Sequence, residues 1–177
     1  MNLNTNHLSG VATREVTDPA ASVYVAENAP GGTLLLAYGL TPSFNVRLAI
    51  SGADHETTDP EINLHYGSLT MEAAYVFRNG REVRPYLYTG VGTFSLESSE
   101  DEYDYEASAP GFALGGGLYS FLGEHFVFDA GLRLDLISWE EETTRRTLID
   151  GSTIIVQSPV QEDGTASKIV LGAGWWF

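Results

Sequence analysis

The chain contains no cysteine, which rules out a disulfide framework and any thiolate metal centre. Although 43% of it is hydrophobic, no apolar run comes near the roughly 18 residues that a membrane helix requires. Basic residues are scarce: nine Lys and Arg stand against 24 Asp and Glu, a formal charge of −15. That balance argues against nucleic acid as a partner. The start, Met1-Asn2-Leu3-Asn4-Thr5-Asn6, has neither a basic stretch nor an apolar one, so it does not read as an export leader. At 177 residues the chain has the length of one domain, 1–177.

What is present is alternation. Read with period two, the last ten residues put Ile169, Leu171, Ala173, Trp175 and the terminal Phe177 on one face, and Lys168, Val170, Gly172, Gly174 and Trp176 on the other. A soluble barrel would turn the bulky apolar face inward. Here the chain stops on an aromatic without a polar cap, which suits a strand whose apolar side meets lipid and whose end lies in an aromatic girdle.

The same pattern recurs upstream. Leu34, Leu36, Tyr38 and Leu40 share a face before the turn at Thr41-Pro42-Ser43. Phe44, Val46, Leu48 and Ile50 follow, then Leu69, Met71, Ala73, Tyr75 and Phe77 up to Asn79-Gly80, a tight hairpin turn. Leu87, Thr89, Val91 and Thr93 alternate with Tyr86, Tyr88, Gly90 and Gly92. Phe112, Leu114, Gly116 and Leu118 alternate with glycine and alanine. The clearest strand sets Phe126, Phe128, Ala130, Leu132, Leu134 and Leu136 against Val127, Asp129, Gly131, Arg133 and Asp135. Residues 1–31 are least regular. A first strand is expected near 3–15, with Leu8, Gly10 and Ala12 as a thin apolar face and a long loop to Gly31; Val23-Tyr24-Val25 is the competing position. The total is eight strands, with short turns near 42, 80 and 123 and long loops near 17–31, 52–61, 97–107 and 140–165. Asp150-Gly151 reads as a hairpin tip that prolongs the last two strands. The expected fold is therefore all-β: an eight-stranded antiparallel up-and-down transmembrane barrel.

The terminal strand resembles the final strand of bacterial outer-membrane β-barrels, and Pro85-Tyr86-Leu87-Tyr88-Thr89-Gly90-Val91-Gly92 resembles a strand of the small OmpA/OmpX-type barrels. The resemblance implies a monomer in the outer membrane, embedded in lipid next to lipopolysaccharide, with short turns periplasmic. It also implies that the barrel-assembly machinery reads the end of the chain, so Ile169, Leu171, Trp175 and Phe177 are the anchoring and assembly residues. On this reading the export signal is missing from the sequence and Met1 is artificial.

Charges opposite the apolar stripes define the candidate interior: Arg47, Glu72, Arg84, Asp129, Arg133 and Asp135. Facing hydrocarbon, a basic group near the midplane would cost roughly 2–4 kcal/mol; inside a narrow barrel these charges can pair and fill the lumen. Most acidic residues fall in the expected loops. Glu100-Asp101-Glu102-Tyr103-Asp104-Tyr105-Glu106 lacks the spacing and central glycine of a calcium loop, so no metal or cofactor is expected. Tyr103 and Tyr105, with Asp150 and Gly151, are the candidate loop contacts for an extracellular partner. Catalytic patterns are thin. His7-Leu8-Ser9 is a His-x-Ser pair of the lipid A deacylase type, and Asp54-His55 is a lone Asp-His dipeptide of the outer-membrane aspartyl protease type. His65 and His125 read as rim residues, because no second histidine stands at metal-ligand spacing. The leading expectation is a non-enzymatic barrel with a plugged lumen, acting by surface interaction, adhesion or envelope integrity. The competing readings are a narrow channel or lateral port of the OmpW type, a lipid-modifying enzyme, and a soluble lipocalin-like barrel.

Overall fold

The computed structural model describes residues 2–9, 28–56, 63–78, 82–100, 103–147 and 152–176. Alternating apolar and polar positions make nearly all of them strand: β1 Asn2–Ser9, β2 Asn28–Gly39, β3 Phe44–Glu56, β4 Asn63–Val76, β5 Val83–Glu100, β6 Tyr103–Leu122, β7 Phe126–Thr147 and β8 Thr153–Trp175. Each strand pairs antiparallel with the next, and β8 returns to β1 through Leu3↔Leu171 and Ser9↔Thr165, so the barrel is closed in the expected order. Closure pairs backbone groups around the ring, which a wall in hydrocarbon requires.

One end of the barrel carries short connections. Between β2 and β3 the Thr41 hydroxyl accepts hydrogen bonds from the Phe44 and Ser43 amides at 3.0 and 3.3 Å. Between β6 and β7, Gly123 adopts φ 71°, a left-handed conformation that glycine enters without steric cost. The Asn79-Gly80 turn lies outside the described residues, as do Val23-Tyr24-Val25 and the Asp150-Gly151 tip.

At the other end several expected loops are strand. Residues 97–100 belong to β5 and 103–107 to β6, which pair as far as Glu100↔Tyr103. Much of 140–165 belongs to β7 and β8, 22 and 23 residues long. β3 runs to Glu56, and β2 begins at Asn28 rather than after Gly31. β1 is described over Asn2–Ser9, paired with β8 through Leu8↔Ala166; Gly10 and Ala12 lie outside the described residues. For β3, β5 and β6, with Asp54 and Glu56, Glu97, and Asp104 and Glu106 on the outer face, the reason is common. Charged residues at every second position are compatible with a strand whose outer face has left the hydrocarbon.

In the middle of the barrel the polarity is inside out. Leu36, Phe112 and Leu132 are 62%, 61% and 65% exposed on the outer wall, while Arg133, next to Leu132 in the chain, is 5% exposed and faces inward. A lipocalin-like interior needs the reverse arrangement, so the soluble reading falls. This wall faces lipid. Toward the long-strand end the polarity inverts. Leu64, Tyr66, Phe94, Leu96, Ile137 and Trp139 form a buried interior cluster, and Asp54, Glu97, Asp104 and Glu106 are exposed outside.

Candidate functional site in the barrel interior

The strand register sends Arg47 (β3), Glu72 (β4), Arg133 and Asp135 (β7) and Lys168 (β8) to one level of the lumen, all buried. Glu72 bridges two guanidinium groups: Arg47 Nη2 lies 2.9 Å from Oε2, and Arg133 Nη1 binds Oε1. Arg133 Nε donates to Asp135 Oδ1 at 2.7 Å, and Lys168 Nζ stands 3.1 Å from Asp135 Oδ2. Hydroxyl groups complete the cluster. Arg133 Nη2 donates to Thr70 Oγ1 at 3.1 Å, Thr70 donates to Glu72 at 3.0 Å, Tyr66 donates to Asp135 at 3.0 Å, and Arg47 Nη1 donates to Tyr119 at 3.2 Å. One step toward the short-turn end, the Tyr86 hydroxyl donates to Asp129 Oδ1 at 2.7 Å. Three cations (Arg47, Arg133, Lys168) meet two carboxylates (Glu72, Asp135) at this level, and Asp129 in the next level brings the formal charge of the two levels together to zero.

Aromatic rings hold the cations in place. The Arg47 guanidinium lies 4.2 Å from the Tyr88 ring centroid, and Lys168 Nζ lies 4.6 Å from that of Tyr66, within cation–π range. Tyr86 and Tyr119 stack at 4.2 Å and, with Val76, Phe121, Val127 and the half-buried Trp176, close the short-turn end. Small residues make room for these rings. A Cβ at Gly115 would come within 2.5 Å of the Tyr88 hydroxyl, and one at Gly117 within 2.8 Å of the Tyr86 hydroxyl. Among the described residues the interior void beside Arg47, Tyr86, Tyr88, Asp129 and Arg133 measures about 20 Å³, room for about one water.

Of the six charges singled out from the sequence, Arg47, Glu72, Arg133 and Asp135 are joined by direct contacts. Asp129 sits one layer away with Tyr86. Arg84 is apart, 4.4 Å above the Phe121 ring at the short-turn end. Lys168 and the four tyrosines are not among those six. Their signal is the same period-two register, which sets Lys168 opposite Ile169 and places Tyr86 and Tyr88 opposite Leu87.

Ile169, Leu171 and Trp175 are exposed on the outer wall. Phe177, Asp150 and Gly151 lie outside the described residues. Tyr103 opens β6. Tyr105, expected in a loop, is instead within β6 and packs half-buried against the interior apolar cluster. The Asp54-His55 dipeptide is split by the pleat. His55 is buried inside, whereas Asp54 contacts His65 across the β3–β4 pair on the outer face. His7 and Ser9 lie on β1, opposite Ser167 and Thr165 of β8. His125 stacks on Trp175 at 5.2 Å, and its Nδ1 lies 3.0 Å from the Trp176 carbonyl.

Comparison with solved structures gives small outer-membrane barrels. A major outer membrane protein from Thermus thermophilus is similar with a TM-score of 0.64 and 14% identity, covering 99% of each chain. Neisserial surface protein A is similar with a TM-score of 0.55 and 15% identity, over 95% of this chain and 94% of that one. OprG from Pseudomonas aeruginosa gives 0.54 and 10%, over 99% and 95%. At these identities the likeness is one of fold. A search of curated protein sequences gave no match. Residues 2–177 match the family described as outer membrane protein beta-barrel domain, and the chain belongs to that family, a β-barrel in the lipid bilayer of the bacterial outer membrane.

Proposed function

We propose that this is a non-enzymatic, monomeric barrel with a sealed lumen, acting through what it presents at the long-strand end, in surface interaction, adhesion or envelope integrity. One observation carries the reading. The lumen holds a network of ion pairs, charge-balanced once Asp129 is counted with it, stacked between an apolar cluster and an aromatic one. Taking charges out of water is expensive unless every one is paired, and a path for ions would have to break these pairs and move two packed layers. The extended β5–β8 strands then stand clear of the apolar belt as the contact surface, with Tyr103 and the Asp150-Gly151 tip as the candidate contacts. Ile169, Leu171, Trp175 and Phe177 serve as the strand end that the assembly machinery reads, and lipopolysaccharide as the neighbour in the outer leaflet.

The test is solute entry into vesicles carrying the folded protein. Swelling in small sugars at the rate of protein-free vesicles is the expected result. Faster entry that scales with protein content would favour the narrow channel or lateral port instead. A changed lipid A mass spectrum on overexpression would favour a lipid-modifying enzyme.

A further inference from the structure

Every nitrogen of the Arg47 guanidinium is a donor, and two of the three are engaged. Nη2 stands 2.9 Å from Glu72 Oε2, and Nη1 donates to the Tyr119 hydroxyl at 3.2 Å. The third, Nε, is buried without a hydrogen-bond partner among the described residues. Arg47 is 4% exposed, so bulk water does not serve Nε, and a buried donor left unmet is costly. The interior void of about 20 Å³ lies on this side of the guanidinium: Arg47 lines it, but neither Glu72 nor Tyr119 does. Asp129, the carboxylate that completes the charge balance from the next level, lines the same void, as does Thr33.

We propose that this void is a binding site for one internal water, which accepts from Arg47 Nε and donates to Asp129 and Thr33, joining the two charged levels. The chemistry of the lining selects the occupant. Between a guanidinium donor and a carboxylate acceptor only a group that both accepts and donates is satisfied on each side. An anion would suit Nε but meet Asp129, and a cation would meet Arg47 and Arg133. The volume admits about one water, and three hydrogen bonds are what an internal water typically makes. The acceptors have capacity for it. Asp129 takes the Tyr86 hydroxyl on Oδ1, and a carboxylate offers about four acceptor positions. Thr33 gives its proton to Ser51 at 3.0 Å, which leaves its own oxygen to accept. The level with one cation in excess is thereby tied to its counter-charge through Glu72, Arg47, the water, Asp129 and Tyr86. A single isolated water forms no file through the lumen, so the inference adds to the sealed barrel without depending on it.

The experiment is a high-resolution crystal structure of the full chain folded in detergent, together with urea-dependent unfolding of a variant that fills the void. One ordered water is expected about 3 Å from both Arg47 Nε and an Asp129 oxygen. Val170 lines the void from β8, opposite Gly131 of β7, and Val170→Leu adds a methylene there. That variant is expected to lack the water and to unfold at lower urea, because Nε loses its partner. In a dry void the same methylene would improve packing and raise the midpoint. If heat-shifted gel mobility shows Val170→Leu unfolded, Leu35→Phe fills the void from β2 instead, with the same expectation. A void without density in the unaltered protein overturns the proposal, as does an anion in it, or a water that does not touch Nε. A midpoint unchanged or raised by the filling variant overturns it as well. A continuous row of waters from mouth to mouth would contradict the sealed lumen, which is a separate failure from an absent bridge.

Discussion

Glu72 on β4 and Arg133 on β7 are three strands apart in the ring, yet their side chains meet inside the barrel, and the same carboxylate holds Arg47 from the adjacent strand. One side chain therefore ties three strands together, in a layer where each charge depends on its partners.

Replacing Glu72 with Ala leaves Arg47 and Arg133 short of a counter-charge in a buried site. Breaking a buried pair from one side costs about 3–5 kcal/mol, and a loss of that size is expected in urea-dependent unfolding in detergent. Adding Arg47→Leu to Glu72→Ala should recover part of it, since one stranded cation is removed. A double variant whose loss equals the sum of the single losses would show that the two side chains do not act together.

The interior glycines are expected to be intolerant of larger residues. Gly115→Val pushes a branched side chain onto the Tyr88 ring and the Leu132 backbone, and overpacking of this kind costs about 1–3 kcal/mol. The Gly123 turn has open space around it, so Gly123→Asn, a residue that tolerates positive φ, should be near neutral by the same unfolding assay.

Depth along one strand sets the cost of a charge on the outer wall. Leu132→Arg places a guanidinium in the middle of the apolar belt and should cost about 2–4 kcal/mol. Ser138→Arg, six residues further along β7 and exposed beside Asp163, should fold as well as the unaltered chain. Equal losses at the two positions would mean that the belt does not meet hydrocarbon.

Tryptophan fluorescence separates the two polarities directly. Trp175 is 61% exposed on the lipid-facing wall, and Trp139 is 3% exposed within the upper interior cluster. In single-tryptophan variants, brominated lipid should quench Trp175 strongly and leave Trp139 almost unaffected.

Strand number, order and the inside-out belt were legible in the sequence, because one parity from Phe126 to Leu136 is wholly apolar while the other carries Asp129, Arg133 and Asp135. The upper wall was not. Glu97 through Glu106 reads as a loop from its acidity, although Phe94, Leu96, Ala107 and Ala109 keep the alternation going on the inner face. Once the outer face leaves the bilayer, carboxylates replace leucines there and the apolar parity moves inside, so a rule tuned to the belt misassigns the extension. Lys168 is visible as an inward position, but only the register of β7 with β8, Arg133↔Lys168, brings it to Asp135. No period along one strand encodes which residues of different strands share a level.

The sealed lumen is tested most directly by current through a planar bilayer containing the folded protein. The expected trace at neutral pH stays at the leak level of the bare membrane, with no stepwise openings at moderate voltage. Regular ohmic steps from the unaltered protein would mean that ions pass the layer held by Glu72, Arg133 and Asp135, and the sealed-barrel account would be contradicted.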